Sequence, residues 1–353
     1  MAVTLRELHQ CFQESSSIAL FGHINPDADA LCSALALKEF ISNNYFTISK
    51  NNRFYKKKVD IFVDCEEIPD SLKVFSEKHK ISINPQPKKH YSLAVALDCS
   101  TKERLGKYVN VFESAQTTIN IDHHKSNTKY ADMNFVMDLS STCEALYSIF
   151  NYLYKFYGTQ INKYILTQIY AGIITDTNNL ENNVDRLITR NNLSALVESL
   201  GTKQASLVKS HFFQNVPKTK LALMTHSYNP KNRANYDEGR VCFITLNHKV
   251  FAKTKASLED AEGIVDSALN TEGVLISALI LEPVKGEYHV KLRGKGVKVE
   301  GIAKVFNGGG HEFMAGFQYK GNFNMLNMTL LKECKKAVEE QVQDMETLEQ
   351  LLE

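Results

Sequence analysis

"SIALFGHINPDADALCSALALKEFI", residues 17–41, decides the fold. It opens on a short apolar run, passes through a polar turn containing Pro26, and ends in a helical spacing, with Ala30, Ala34, Leu37 and Ile41 on one face. A buried strand feeding a helix through a turn that carries His23, Asp27 and Asp29 is the opening of an α/β unit.

The alternation continues. "KVDIFVD" (58–64), "YSLAVALD" (91–98) and "TTINID" (117–122) read as further strands. "SSTCEALYSIFNYLYKFYG" (140–158) reads as a helix that starts with the capping-box pattern Ser141-x-x-Glu144 and stops at Gly158. "KYILTQIYAGIITDT" (163–177) reads as a mostly apolar helix running to an acid. This order predicts a doubly wound, mainly parallel sheet covered on both faces. Residues 190–236 look helical but broken, then polar and turn-rich. Strands at 239–247, 274–283 and 288–294 follow, with helices between them. The expected organisation is an α/β chain of two domains: 1–189, a connection at 190–236, and a smaller α/β domain at 237–353.

A chain of 353 residues fits that count. Its net charge of +1 argues against a general duplex-DNA binder but leaves room for a local basic pocket. The seven cysteines are scattered, without a C-x-x-C pair, and read as reduced thiols of a cytoplasmic protein. "MAVTLRELHQCF" lacks the apolar core of a signal peptide, and no stretch approaches the ~20 apolar residues of a membrane span.

Acids and histidines collect at the ends of the apolar runs. His23, Asp27 and Asp29 follow the first strand, Asp98 the third, and Asp122, His123 and His124 close the fourth; Asp176 ends the apolar helix. In a doubly wound sheet, strand carboxyl ends share one rim, and ligands bind there. Singly, Asp27 or Asp29 reads as a helix cap, Asp98 as a loop acid, Asp176 as the start of a turn and His123 as a loop residue. Jointly they supply carboxylates and imidazoles, the donors of a hard-to-borderline divalent metal. Glu144 is accounted for by the capping box and stays outside this set. Cys32 and Cys99 read as small packing residues.

"GHINPDADALCSALAL", "ALDCS", "IDHH" and "GIITDT" resemble, in order, the four motifs of the DHH phosphoesterase family. "VKLRGKGVKVEGIAKVFNGGGHEFMAGF" (290–317) is similar to the glycine-rich motif of the DHH-associated domain. The resemblance implies that His23 and Asp27 hold one metal, Asp29, His123 and Asp176 a second, and that Asp98 bridges both. It further implies that Asp122 supports the histidines after it and that His124 faces the substrate phosphate. The expected ions are two Mn²⁺, with Mg²⁺ or Co²⁺ as substitutes. Two such ions about 3.5–4 Å apart activate a shared water as the hydroxide that attacks phosphorus. Three positions depart from the family pattern: Cys32, Asn178 and Gly294 stand where Gly, Gly and Ser are common.

Residues 285–304 carry six basic and two acidic side chains. Lys291, Arg293 and Lys295 alternate along a predicted strand and so share a face. Gly308, Gly309 and Gly310 let backbone N–H groups approach an anion, and His311 and Arg293 are candidates to hold a terminal phosphate or a base. Phe313 and Phe317 are candidates to stack a base, against the commoner core role at that spacing. A substrate gripped by both domains is short: single-stranded RNA of a few nucleotides or a small nucleotide, with no long duplex, no membrane, and a homodimer left open. The resemblance points to bacterial oligoribonucleases that also dephosphorylate adenosine 3′,5′-bisphosphate. A cyclic di-AMP (or linear pApA) phosphodiesterase is the alternative enzyme, and a catalytically idle nucleotide-binding regulatory module the alternative of another class.

Overall fold

The computed structural model describes residues 4–48, 54–77, 83–88, 90–181 and 186–352. The chain divides into two compact units, Met1–Asn215 and Val216–Glu353. Unit 1 runs α1 (Leu5–Glu14), β1 (Ile18–Phe21), α2 (Ala28–Asn44), β2 (Phe46–Ile48), β3 (Phe54–Lys56), β4 (Val59–Phe62), α3 (Asp70–Glu77), β5 (Leu93–Leu97), α4 (Val109–Glu113), β6 (Thr118–Asp122), β7 (Met133–Val136), α5 (Thr142–Tyr157), α6 (Lys163–Asp176), α7 (Leu187–Leu200) and α8 (Thr202–Phe213).

Five of these strands form one parallel sheet in the order β4-β1-β5-β6-β7. Every residue of β1, β5 and β6 is buried, as a central strand covered on both faces requires. The two faces differ in side-chain size. Ile18, Leu20, Leu93, Val95 and Leu97 face the helices α2, α5 and α6. Ala19, Ala94 and Ala96 make room on the other face for Leu105, Tyr108 and Phe112. Helix α2 buries every residue from Ala28 to Leu37, so its expected single apolar face is too narrow a reading. It lies between the sheet and α6, and small residues fill the side that a free helix would show to water.

Unit 2 runs α9 (Lys218–Ser227), β8 (Arg233–Tyr236), β9 (Val241–Leu246), α10 (His248–Thr254), α11 (Ile264–Leu269), β10 (Ile276–Val284), β11 (Glu287–Gly294), α12 (Glu300–Val305), β12 (Gly309–His311), β13 (Met314–Lys320) and α13 (Phe323–Leu352). Its six strands lie in the order β12-β13-β11-β10-β9-β8. Only the β9–β10 pair is parallel. Leu326, Leu330, Cys334 and Val338 of α13 pack on one face, and α10 and α11 on the other.

The expected connection at 190–236 is divided between the units. Leu193, Leu196, Leu200, Ala205 and Val208 of α7 and α8 join the core of unit 1, whereas Leu223 of α9 joins unit 2. Among the described residues no helix is long and apolar enough to cross a membrane.

Candidate metal centre

Strand β1 lies between β4 and β5, so the chain leaves it in one direction and returns on the other side. That reversal opens a crevice at the carboxyl ends of β1 and β5. His23 follows β1 and Asp98 follows β5 at this point. Asp98 has φ 59°, a left-handed conformation that Asp tolerates better than most residues. Its own N–H stays in the ladder, bonded to Ile121 O at 3.1 Å.

The two carboxylate oxygens of Asp98 meet different partners. Oδ2 lies 3.6 Å from His23 Nε2, which is itself 3.5 Å from Asp27 Oδ2. Oδ1 lies 3.4 Å from His123 Nε2, which is 3.5 Å from Asp176 Oδ2. His23, Asp27 and Asp98 offer ligand atoms within 4.8 Å of one another, and so do Asp29, His123 and Asp176. All six expected ligands therefore pool at one rim, in two triads joined through Asp98. Asp27 also caps α2, its Oδ1 accepting from Ala30 N at 3.0 Å, while its Oδ2 faces His23.

The supports are specific. The Nδ1 of His23 lies 2.7 Å from Ile24 O, which fixes its proton there and leaves the Nε2 lone pair free to ligate. Asp122 is fully buried. Its Oδ1 accepts from His124 Nδ1 and His123 N, both at 2.8 Å, and its Oδ2 accepts from Asn127 Nδ2 at 2.5 Å. With its oxygens occupied, Asp122 orients the two histidines. Asp29 accepts from Thr142 N (2.7 Å) and Cys143 N (2.9 Å) at the start of α5, where the helix dipole favours a carboxylate.

Sequence reasoning missed three residues. Thr142 Oγ1 donates to Asp98 Oδ1 at 3.0 Å; its only sequence signal is its place just after the Ser141 cap. Asn127 buttresses Asp122 and also donates to Asn120 Oδ1 at 2.7 Å. Gly172 lets α6 close on the centre: a β-carbon there would overlap Cys143 Sγ and Asp29 Oδ1. Glu144 needs correcting. Ser141 does cap α5, but the Glu144 carboxylate bonds Ser140, Thr189 and Asn192 instead of the cap backbone, stapling α7 to α5. Cys32 and Cys99 are fully buried, with thiols that burial pushes well up, as packing residues should be. Asn178 adopts φ 47°, so this Asn keeps the left-handed turn that a Gly would make.

The electrostatics show what the centre lacks. Burial, then the charges of Asp98 and Asp176, push the Asp29 carboxyl well above the usual range. Burial also raises Asp176, to about 6, against the pull of His123. Burial disfavours the charged form of His23 and His123, yet the carboxylates around them raise both above the ordinary imidazole value. Acids and imidazoles alike are recruiting protons, so the cluster is short of positive charge. A divalent cation would supply it, and the mixed carboxylate–imidazole donor set suits one.

The expected substrate residues all fall in unit 2. Arg293 Nε pairs with Asp266 Oδ1 at 3.1 Å and Lys291 Nζ with Glu262 Oε2 at 2.7 Å, so this basic face is partly neutralised. Lys295 lies beyond the end of β11 and is exposed. Gly294 has a steric reason, because a β-carbon would strike the Val297 carbonyl. Gly308 leads into β12, where Gly309, Gly310 and His311 form an exposed edge strand. Phe317 is a core residue, stacked on Phe306 at 4.2 Å, whereas Phe313 is exposed.

Comparison with known proteins agrees with this layout. Residues 17–173 match the DHH family, N-terminal domain, and residues 241–344 match the DHHA1 domain. The uncharacterized protein MG371 of Mycoplasma genitalium is 28% identical over 313 residues, covering 86% of this chain and 87% of its own. The bifunctional oligoribonuclease and PAP phosphatase NrnA of Bacillus subtilis is 23% identical, covering 88% and 91%. An exopolyphosphatase-related protein from Bacteroides fragilis shares the fold, with a TM-score of 0.79 at 21% identity over 95% of both chains. Motifs, sheet topology and these matches together establish that the chain belongs to the DHH family of phosphoester hydrolases, with a DHHA1 domain as its second unit.

Proposed function

We propose that this hydrolase cleaves phosphoester bonds in short oligoribonucleotides and removes the 3′-phosphate of adenosine 3′,5′-bisphosphate, with two divalent ions, Mn²⁺ foremost. The observation that carries the reading is Asp98, one carboxylate whose Oδ2 groups with His23 and Asp27 while its Oδ1 faces His123 of the other triad. His23 and Asp27 would hold one ion, Asp29, His123 and Asp176 the other, and Asp98 both. When bound, such a pair supplies charge stabilisation at phosphorus and lowers the pKa of water toward neutrality.

The chain's own groups do the rest. His124, anchored through Nδ1 to Asp122, keeps Nε2 for a phosphoryl oxygen and stabilises the charge that develops there. Asp98 is oriented by Thr142, so the bridging carboxylate is placed before substrate arrives. Backbone N–H groups along Gly308–Gly310, with His311, Arg293 and Lys295, would bind substrate; His311→Ala should raise KM about tenfold with kcat kept. Substrate choice follows the curated relatives named as NrnA.

The experiment is a panel with Mn²⁺: dinucleotide RNA, adenosine 3′,5′-bisphosphate and cyclic di-AMP at matched concentration, on wild type and Asp98→Ala. Wild type should turn over the first two fastest, and the variant should lose on the order of 10³-fold in kcat. Preference for cyclic di-AMP, or full activity of the variant, would overturn the reading.

A further inference from the structure

Three basic residues sit on the segment Thr101–Tyr108, directly after Asp98, and their situations differ. Lys102 Nζ pairs with Glu113 at 2.8 Å, and Lys107 Nζ with Asp64 at 2.9 Å. Arg104 is half-buried, its Nε is enclosed without a hydrogen-bond partner, and no carboxylate among the described residues lies within ion-pair distance of its guanidinium. A desolvated donor with nothing to bond costs stability, and native structures rarely keep one without a use.

The segment is fixed against the metal centre from two sides. Ile24 N, beside His23, donates to Arg104 O at 2.7 Å, and Arg104 N donates to Thr101 O at 3.2 Å. Leu105 anchors it in the core, and Gly106, with φ 58°, packs so closely that a β-carbon would overlap Asp64 and Ile24. An unpaired guanidinium is thus carried by a segment whose backbone is tied to the residue after His23 and which begins three residues beyond Asp98.

We infer that Arg104 is a substrate-binding residue, whose guanidinium takes a phosphate oxygen of the anion brought to the metal centre. The inference rests on the phosphoesterase reading above. A guanidinium suits the role because it stays charged and presents paired N–H donors that match a phosphate edge. It also explains why the side chain lacks a protein partner: a fixed salt bridge would have to break at every turnover.

The test compares wild type, Arg104→Met, Arg104→Lys and Lys107→Met in the full-length, Mn²⁺-loaded protein. Met keeps the apolar stem and removes the unpaired charge. Arg104→Met should raise KM for the bisphosphate about 10- to 100-fold, the range for losing a hydrogen bond to a charged group. It should weaken inorganic phosphate, measured by calorimetry, by a similar factor, and leave Tm unchanged or higher. Arg104→Lys should recover only part of the loss, and Lys107→Met should behave as wild type. An unchanged KM, or a Tm lowered by several degrees in Arg104→Met, would overturn the inference, because the residue would then be idle or a structural stitch. A wild type that binds phosphate through Arg104 but hydrolyses nothing would defeat the phosphoesterase reading and leave the Arg104 site standing.

Discussion

Both units bury carboxylates, and one from each, Glu282 and Asp29, sit in opposite surroundings. In unit 2, Glu282 is only 8% exposed and accepts from His248 Nδ1, Gly286 N and Tyr288 OH, each at 3.0 Å. Burial works against its charge, but these donors hold the carboxyl below the usual range. In unit 1, Asp29 is 1% exposed and also has two backbone donors, yet its carboxyl is pushed well up, because Asp98 and Asp176 face it. The contrast separates a structural carboxylate from a functional one. A buried acid surrounded by donors is finished; a buried acid surrounded by acids is waiting for a cation.

The strongest way to break that contrast is to spoil the packing that forces the acids together. Gly172→Val places side-chain atoms where Cys143 Sγ and Asp29 Oδ1 now lie. Overpacking of this kind costs about 1–3 kcal/mol, and displacing Asp29 should cost most of the Mn²⁺ affinity and nearly all turnover. Gly172→Ala should fall between the variant and wild type. Calorimetric titration with Mn²⁺ reads the effect directly; a Gly172→Val protein that binds Mn²⁺ like wild type would show that the centre does not depend on the close approach of α6 at Gly172.

A gentler change keeps every acid and alters one orientation. Thr142→Val deletes the hydroxyl that donates to Asp98 and keeps the buried shape. Losing a group that orients a metal ligand typically costs 10- to 100-fold in affinity or activity. Thr142→Ser should restore most of it. Equal Mn²⁺ affinity in the Val and Ser variants would show that Asp98 needs no such guide.

The same contrast explains what the sequence could disclose. Unit 1's acids were legible because each follows an apolar run, as in "LAVALD" and "TINID", and strand ends converge on one rim. Glu282 also follows an apolar run, "ISALIL", but its partners His248 and Tyr288 come from the start of α10 and from β11, and no spacing announces them. Long-range pairings hid elsewhere too. Arg293 and Lys291 looked like a free basic face, but Asp266 and Glu262, nearly thirty residues earlier, neutralise part of it. The division of the 190–236 segment between the two units hid for a related reason. The spacing of Leu193, Leu196 and Leu200 reveals an apolar helix face without revealing which core it joins. Gly172 was invisible because a glycine inside a helix says nothing of what presses against it.

The smallest expected effect tests the other half of the comparison, the finished carboxylate. A group whose folded pKa is depressed adds stability above its ordinary value of 4.5 and loses it as pH falls through that value and below. Glu282→Gln keeps the size but removes the charge that the imidazole, amide and hydroxyl donors now share. At pH 7 it should lower stability by about 1–3 kcal/mol, the cost of breaking hydrogen bonds to a buried charged group. Below pH 4.5 wild type protonates toward the variant's neutral state, so their melting temperatures should converge. Thermal melts of both proteins from pH 7 to pH 3.5 measure this. Mn²⁺ binding should be the same in both at pH 7, because the knot around Glu282 holds a strand end and a helix start in place and has no vacancy for a cation. A gap in Tm that widened toward low pH would mean that Glu282 is held protonated, and would place it with the crowded acids of unit 1.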